Sequence, residues 1–304
     1  MKKSVQIKEK AHELGFELAG ITPALPVPDF DRFRWWLDQG YAGLMGYMRR
    51  GMERRGDPGK ILPGVKSVIC VGMNYFTEGP PSPVARYAWG EDYHEVLGKR
   101  LKVLEEFIQK IDPEARTKAY VDTGAILERS YASQSGLGWI GKNTCLINDG
   151  VGSYVFLGEI LTTFALEESE YDRPALDQCG TCSKCLDACP TNALPEPYVL
   201  DANRCISYLT IEYRENFSPE QSKMVGEHVY GCDICQEVCP YNDRIQPTAL
   251  PEFQQRQVLA QTWAPEFKNL AEEGFSKMIQ GSAMDRIKFK QWVRNCRSSL
   301  SKKN

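Results

Sequence analysis

Eight of the eleven cysteines in this 304-residue chain follow a spacing that suits iron–sulfur chemistry. The first run is Cys179-x2-Cys182-x2-Cys185-x3-Cys189-Pro190. In the bacterial ferredoxin run of this spacing, the fourth cysteine serves the other cluster of a pair. The second run, Cys232-x2-Cys235-x3-Cys239-Pro240, carries Val229 where its first cysteine would stand. Cys205, between the runs, can supply that thiolate. Closely spaced thiolates wrap three corners of a cubane, and the fourth corner must be reached from elsewhere in the chain. The expected ligand sets are therefore Cys179, Cys182, Cys185 and Cys239 for one [4Fe–4S] cluster, and Cys189, Cys205, Cys232 and Cys235 for the other. Such a pair moves electrons one at a time. Pro190 and Pro240 close the loops, since proline resists helix continuation.

Two plainer uses of cysteine compete. Paired C-x2-C elements also bind structural zinc, but the four-cysteine run is far more specific than a lone C-x2-C. A disulfide scaffold would need a higher cysteine density. The N-terminus, MKKSVQIKEKAHELGF, reads as an amphipathic helix without a signal core, and no stretch is apolar enough to span a bilayer. A reducing cytoplasm, where thiols stay free for metal, is the expected location. Cys70, Cys145 and Cys296 are left over and read as inert thiols.

These loops need a body to hold them. With 42% hydrophobic and 25% charged residues, the composition is that of a soluble globular protein. Helical patterning is expected from the N-terminus into Gly15 and over Phe30–Gln39, Tyr93–Ile111 and Ile126–Gly136. Strands are expected at Glu17–Ile21, Val65–Val71, Lys118–Asp122 and from Tyr154. Alternating helices and strands indicate an α/β or α+β sheet domain over residues 1–165. A ferredoxin-like two-cluster module follows over 166–250, then a helical C-terminal segment over 251–304. Gly136-Leu-Gly138-Trp-Ile-Gly141 matches G-x-G-x-x-G but follows a helix, where a dinucleotide fingerprint needs a strand. Only three histidines occur, so a His-ligated metal centre is not expected.

A two-cluster carrier alone needs far fewer residues, so another centre should receive the electrons. Tyr120-Val-Asp-Thr-Gly124, Gly136-Leu-Gly-Trp-Ile-Gly-Lys-Asn143, Trp89-Gly-Glu-Asp-Tyr-His94, Cys205-Ile-Ser-Tyr-Leu-Thr210 and Tyr230-Gly-Cys-Asp-Ile-Cys235 together resemble the epoxyqueuosine reductase family. The resemblance covers nearly the whole chain in the expected order. It implies a cytoplasmic enzyme with two [4Fe–4S] clusters and a base-off cobalamin. Its implied reaction reduces the epoxide of epoxyqueuosine, at the wobble position of tRNA, to queuosine. Partners would be the tRNA anticodon stem-loop and an external low-potential electron donor, with no membrane, and the chain would act as a monomer.

The resemblance makes Asp122 the proton donor, with a pKa expected to be raised by burial. Read without it, Asp122 or Thr123 could equally cap a helix starting near Ala125. Family positions near the cobalamin or substrate are Arg55, Asp122, Lys142, Asn143, Leu146, Asn148, Ser207, Cys232 and Asp233. Lys142 could hold a phosphate or propionamide oxygen, while Leu146 could be ordinary core. His94 reads as a structural histidine, and Tyr93 and Trp89 as core aromatics.

The net charge of −3 does not advertise nucleic-acid binding, but its distribution does. From Arg286 onward the chain carries Arg286, Lys288, Lys290, Arg294, Arg297, Lys302 and Lys303 and no acid. A second basic group is Arg49, Arg50, Arg54 and Arg55. Each group reads equally as a solvated helix face or tail, or as an electrostatic footprint for phosphates, and the tail group is the candidate tRNA contact. Longer members of the family continue into a helical-repeat domain, and Gly281–Lys290 resembles its start. Two alternatives remain: an electron-transfer module for a partner enzyme, and a cobalamin-dependent reductive dehalogenase acting on a small molecule.

Overall fold

The computed structural model describes residues 2–80, 82–257, 259 and 269–300. Lys302 and Lys303 of the basic tail lie outside the described residues. The chain runs α1 (Lys3–Glu13), β1 (Leu18–Pro23), α2 (Phe30–Asp38), α3 (Met52–Gly56), β2 (Ser67–Asn74), α4 (Tyr93–Ile111), β3 (Thr117–Tyr120), α5 (Glu128–Gln134), β4 (Trp139–Ile140), β5 (Leu146–Ile147) and β6 (Val155–Thr162). Then come α6 (Lys184–Asp187), α7 (Ile206–Ile211), α8 (Pro219–Val225), α9 (Ile234–Glu237), α10 (Glu272–Ile279) and α11 (Phe289–Leu300).

Four strands form one sheet in the order β1-β2-β6-β3, every pair antiparallel. All eight residues of β2 are buried, which suits a β-branched run covered on both faces. Ile69, Val71 and Met73 meet α1 and α4, while Val68 and Cys70 meet α5. The result is a helix–sheet–helix sandwich.

Helix α4 shows why the pattern reads so clearly. Asp92 caps it, accepting from the His94 N–H, and Val96, Leu97, Leu101, Leu104 and Ile108 are buried along one side. Burying each large side chain contributes ~1.5–3 kcal/mol. That total easily outweighs the ~1 kcal/mol cost of Gly98 in the helix interior.

Two expectations shift around Asp122. The strand ends at Tyr120, and the next helix begins only at Glu128, with Leu127 as a cap position that makes no side-chain bond. Neither Asp122 nor Thr123 caps it. The antiparallel sheet also has no common carboxyl edge, so Asp122 owes its place to a loop. Gly124 is required within that loop, since a Cβ there would lie 2.6 Å from the Tyr120 ring.

The apolar core crosses both expected boundaries, at 165 and at 250. Ile7, Leu97 and Phe156 share one cluster with Val229, Ile245, Phe253, Phe275 and Trp292. The C-terminal helices are thus packed into the body of the protein.

Candidate active site and cluster loops

The two cysteine runs fold alike. In the first, Leu186 and Asp187 N–H groups donate to the Ser183 carbonyl, Ala188 to Lys184, and Cys189 to Leu186. In the second, Gln236 and Glu237 donate to Asp233, Val238 to Ile234, and Cys239 to Gln236. Each run is one short turn of helix flanked by thiols, and α6 packs against α9.

Burial raises the pKa of Cys185 and Cys239, and each also feels Cys179. Cys239 feels Cys182 as well, and Cys185 feels Cys239. Burial likewise raises Cys205 and Cys232, which feel Cys189 and, in the case of Cys232, Cys205. Cys235 is raised first by its contact with Cys145, then by burial, and further by Cys232 and Cys205. Cys179, Cys182, Cys185 and Cys239 thus sense one another, as do Cys189, Cys205, Cys232 and Cys235, and Cys145 is felt by Cys239 as well as by Cys205 and Cys235. Cys145 is therefore not an isolated thiol.

Among the described residues, no three His, Cys, Asp or Glu side chains converge closely enough to hold one metal ion. A cubane does not need such convergence, because each thiolate binds its own iron. The second group has Gly231 and Asp233 buried beside it, whereas Gly180, Ser183 and Lys184 beside the first group are exposed.

Asp122 stands at φ 56°, a left-handed conformation that aspartate adopts more readily than most residues but still at a cost. Its Oδ2 lies 3.4 Å from His94 Nε2 and 3.3 Å from Arg286 Nη1. His94 Nδ1 is 2.7 Å from Asp92 Oδ1, and Arg286 Nη2 donates to Glu212 Oε1 at 3.1 Å. Two cations and three carboxylates thereby interlock across the start of α4, the Asp122 loop, α7 and the segment before α11. A cavity of about 580 Å³ opens beside them, lined by His94, Gly98, Leu101, Tyr120, Thr123 and Arg286.

The electrostatics correct one expectation. Burial alone would raise the Asp122 carboxyl, but the hydrogen bond from His94 and the charge of Arg286 hold it below the ordinary value. His94 moves the other way. Burial opposes its charge, yet bonds to Asp122 and Asp92 lift it to about 9. At neutral pH the couple is an imidazolium facing a carboxylate. His94 thus stands beside Asp122 with both ring nitrogens satisfied by carboxylates. Trp89 and Tyr93 are core aromatics as expected, although Tyr93 also bonds to Asp122.

Other expected contacts are occupied by structural work. Lys142 Nζ donates to the carbonyls of Gly180 and Cys182, tying down the first cluster loop, and so is not free for a phosphate. Asn143 is buried, donating to the Cys235 carbonyl and accepting from the Cys145 N–H. The Asn148 side chain folds its own turn through Leu137, Gly150 and Val151. Leu146 is core. Asp233 is buried and accepts from the Arg86 N–H at 2.7 Å, and burial pushes it up to about 6. Ser207 keeps more freedom; the Arg55 guanidinium donates to the Arg50 carbonyl, lies over Phe33 and near Tyr47 and Glu128, and burial lowers its pKa.

The basic tail also divides. Arg286 belongs to the acid site. Arg294 stacks on Phe217 at 3.9 Å and donates to the carbonyls of Leu209, Tyr213 and Glu215, so it staples the fold and is not a free phosphate contact. Lys288, Lys290 and Arg297 line a second cavity of about 700 Å³ on that side.

Sequence reasoning missed Tyr47, Glu212, Glu128 and Glu159 near this site. Glu159 alone left a legible trace, a charge inside the apolar run Phe156-Leu-Gly-Glu-Ile-Leu161.

Residues 178–242 match the sequence profile of a 4Fe-4S double cluster binding domain, and residues 55–123 match that of epoxyqueuosine reductase QueG. The epoxyqueuosine reductase of Gloeobacter violaceus is 45% identical, across 98% of this chain and 95% of that protein. This chain belongs to the epoxyqueuosine reductase family. The Pseudomonas aeruginosa member is 40% identical, over 95% of this chain and 82% of its own length. A solved epoxyqueuosine reductase superimposes with a TM-score of 0.90 at 32% identity, covering 97% of this chain and 80% of that one. Another, bound to an epoxyqueuosine-modified tRNA stem loop, gives 0.88 at 32% identity, with the same coverage. The Bacillus subtilis structure, at TM-score 0.89 and 31% identity over 97% and 80% of the two chains, has its catalytic loop swung out of the active site. Membership makes the chain an oxidoreductase with a 4Fe-4S module and displaces the readings as a zinc protein or a bare electron carrier.

Proposed function

We propose that this chain reduces the epoxide of epoxyqueuosine in the anticodon stem-loop of tRNA to queuosine, in the cytoplasm and as a monomer. The observation that carries the reading is Asp122, held by His94 and Arg286, which themselves line a cavity in the fold that carries the two cysteine runs. The two thiol groups would hold two [4Fe–4S] clusters. The group at Cys179, Cys182, Cys185 and Cys239 faces outward and suits an external low-potential donor. The group at Cys189, Cys205, Cys232 and Cys235 passes electrons inward.

A base-off cobalamin fits the donor set. Both ring nitrogens of His94, the histidine beside Asp122, are engaged by carboxylates, so it is not poised as a cobalt ligand. Arg55 and Ser207, with backbone near Leu146, would hold the corrin and its amides. When bound, the cofactor supplies low-valent cobalt as nucleophile and electron source. The chain orients the modified base, excludes water and moves protons. Asp122 protonates the epoxide oxygen, and His94 and Arg286 set its position and its charge when idle. Lys288, Lys290 and Arg297 offer charges to phosphates.

The test is single turnover of an epoxyqueuosine stem-loop by anaerobically reconstituted protein with and without cobalamin. Asp122→Asn should retain both clusters and the corrin spectrum while losing on the order of 100-fold or more in rate. Full activity of that variant, or turnover of an organohalide in place of the stem-loop, would refute the assignment.

A further inference from the structure

Glu159 lies in β6 with no exposed surface, on the sheet face covered by α5. Neither of its carboxyl oxygens has a hydrogen-bond partner. Glu128, in the first turn of α5, also has an Oε1 sealed from solvent and unpartnered. The two carboxyl groups lie within hydrogen-bonding reach of each other. Two carboxylates cannot bond, because both only accept. A proton on one of them satisfies the contact, and leaving both ionised would bury unpaired charge at several kcal/mol.

The pair sits directly behind the acid. Glu159 is in register with Tyr120 of β3, two residues before Asp122. The backbone N–H of Asp122 lies near the Glu128 carboxyl and favours its charge. The other groups facing the pair are Cys70 of β2, Arg129 of α5, Arg55 of α3 and Tyr93 of α4. None of them donates a hydrogen bond to the three unpartnered oxygens. Burial, then the charge of Asp122, lifts Glu128 to about 7, and burial with the charge of Glu128 lifts Glu159 well above the carboxylate range. Glu159 thus keeps its proton at neutral pH, and Glu128 exchanges one.

We propose that Glu128 reprotonates Asp122 during turnover, and that Glu159, protonated behind it, is the positioning residue that keeps Glu128 ready. This rests on the epoxide reading above. Removing an epoxide oxygen as water consumes two electrons and two protons. The electrons arrive through the clusters. The first proton is the one His94 and Asp122 hold between them, and it goes to the oxygen as the C–O bond opens. Asp122 is then a carboxylate beside a neutral imidazole. Glu128 transfers its proton to Asp122, becomes a carboxylate bonded by the Glu159 O–H, and Asp122 delivers the second proton to the departing oxygen. Water restores Glu128 and His94 between turnovers.

The experiment is an infrared pH titration of the reconstituted protein, with single turnover of the epoxyqueuosine stem-loop alongside. Wild type should show a carboxylic-acid C=O band that titrates near neutrality. Glu128→Gln should abolish it, and Glu159→Gln should move it at least tenfold in proton concentration toward acid, because the amide donates to the Glu128 carboxylate. Glu128→Gln should slow turnover on the order of 100-fold with stem-loop binding unchanged, and Glu128→Asp should recover part of the rate. No titrating acid band in wild type, or wild-type turnover by Glu128→Gln, would overturn the relay. The wild-type spectrum needs no variant to fold. If wild type bears the band but leaves the stem-loop untouched, the epoxide reading fails and the proton-holding pair stands.

Discussion

Replacing His94 by glutamine removes the cation that faces both Asp92 and Asp122 while keeping a polar side chain of similar reach. The imidazole moves from its ordinary 6.5 to about 9 in the folded protein, which corresponds to at most ~3 kcal/mol of preferential binding of its proton. That figure describes one set of interactions and already includes the effect of His94 on Asp122. Asp122 is 43% exposed and Arg286 42%, so solvent screens the set, and about 1–2 kcal/mol is the expected contribution. The sign is fixed by the direction of the shift. A raised folded-state pKa stabilises the fold fully below pH 6.5, and the contribution is lost as pH rises through about 9. His94→Gln should therefore cost about 1–2 kcal/mol more at pH 6 than at pH 10. Urea midpoints at the two pH values, converted with a common slope, measure the difference. Imidazole resonances give an independent check, because only three histidines occur and one should titrate near 9. An equal cost at both pH values would refute the ion-pair account, leaving His94 as packing alone.

Arg294→Ala should destabilise the chain by about 2–3 kcal/mol through loss of charge-assisted bonds to the Leu209, Tyr213 and Glu215 carbonyls, and leave the salt dependence of stem-loop binding unchanged. Neutralising Lys288, Lys290 or Arg297 should instead lower the slope of log affinity against log salt by about one each, read by filter binding across a salt series. Cys205→Ser should leave one cluster, with iron and sulfide content roughly halved against wild type. Gly98→Ala should raise the thermal midpoint, since nothing lies within 4 Å of the added methyl and alanine gains ~0.5–1 kcal/mol in a helix. The same methyl projects toward the cavity, so the KM for the stem-loop should rise.

Cysteine spacing was legible because the chemistry is local: three thiols on one turn and a proline after the fourth are written in consecutive residues. The periodicity of α4 was legible for the same reason. The site around Asp122 was only half legible. Tyr120-Val-Asp-Thr-Gly124 drew attention to the acid, but its charge state depends on Arg286, which lies far along the chain and read as part of a basic tail. Arg294 misled in the same way, since its neighbours in sequence say nothing of the carbonyls at the end of α7. Lys142 and Asn143 sit inside a motif that suggested ligand contact, yet their partners are backbone groups of the cluster loops. Composition and spacing describe what a side chain can do. Which partner it meets is decided by tertiary packing.

That packing sets two neighbouring carboxyls to opposite tasks. Asp122 and Glu128 are close enough to feel each other's charge, and burial pushes both toward the neutral form. Asp122 has His94 on one side and Arg286 on the other, and two cations outweigh its desolvation. Glu128 has Arg129 and Arg55 as favourable charges, but burial outweighs them, and behind it stands another carboxyl instead of a cation. The cations sit where charge must be tolerated when the acid is spent. The uncompensated burial sits where a proton must be stored. Exchanging either environment would defeat the site: a cation beside Glu159 would empty the store, and loss of both His94 and Arg286 would leave burial free to raise the Asp122 carboxyl.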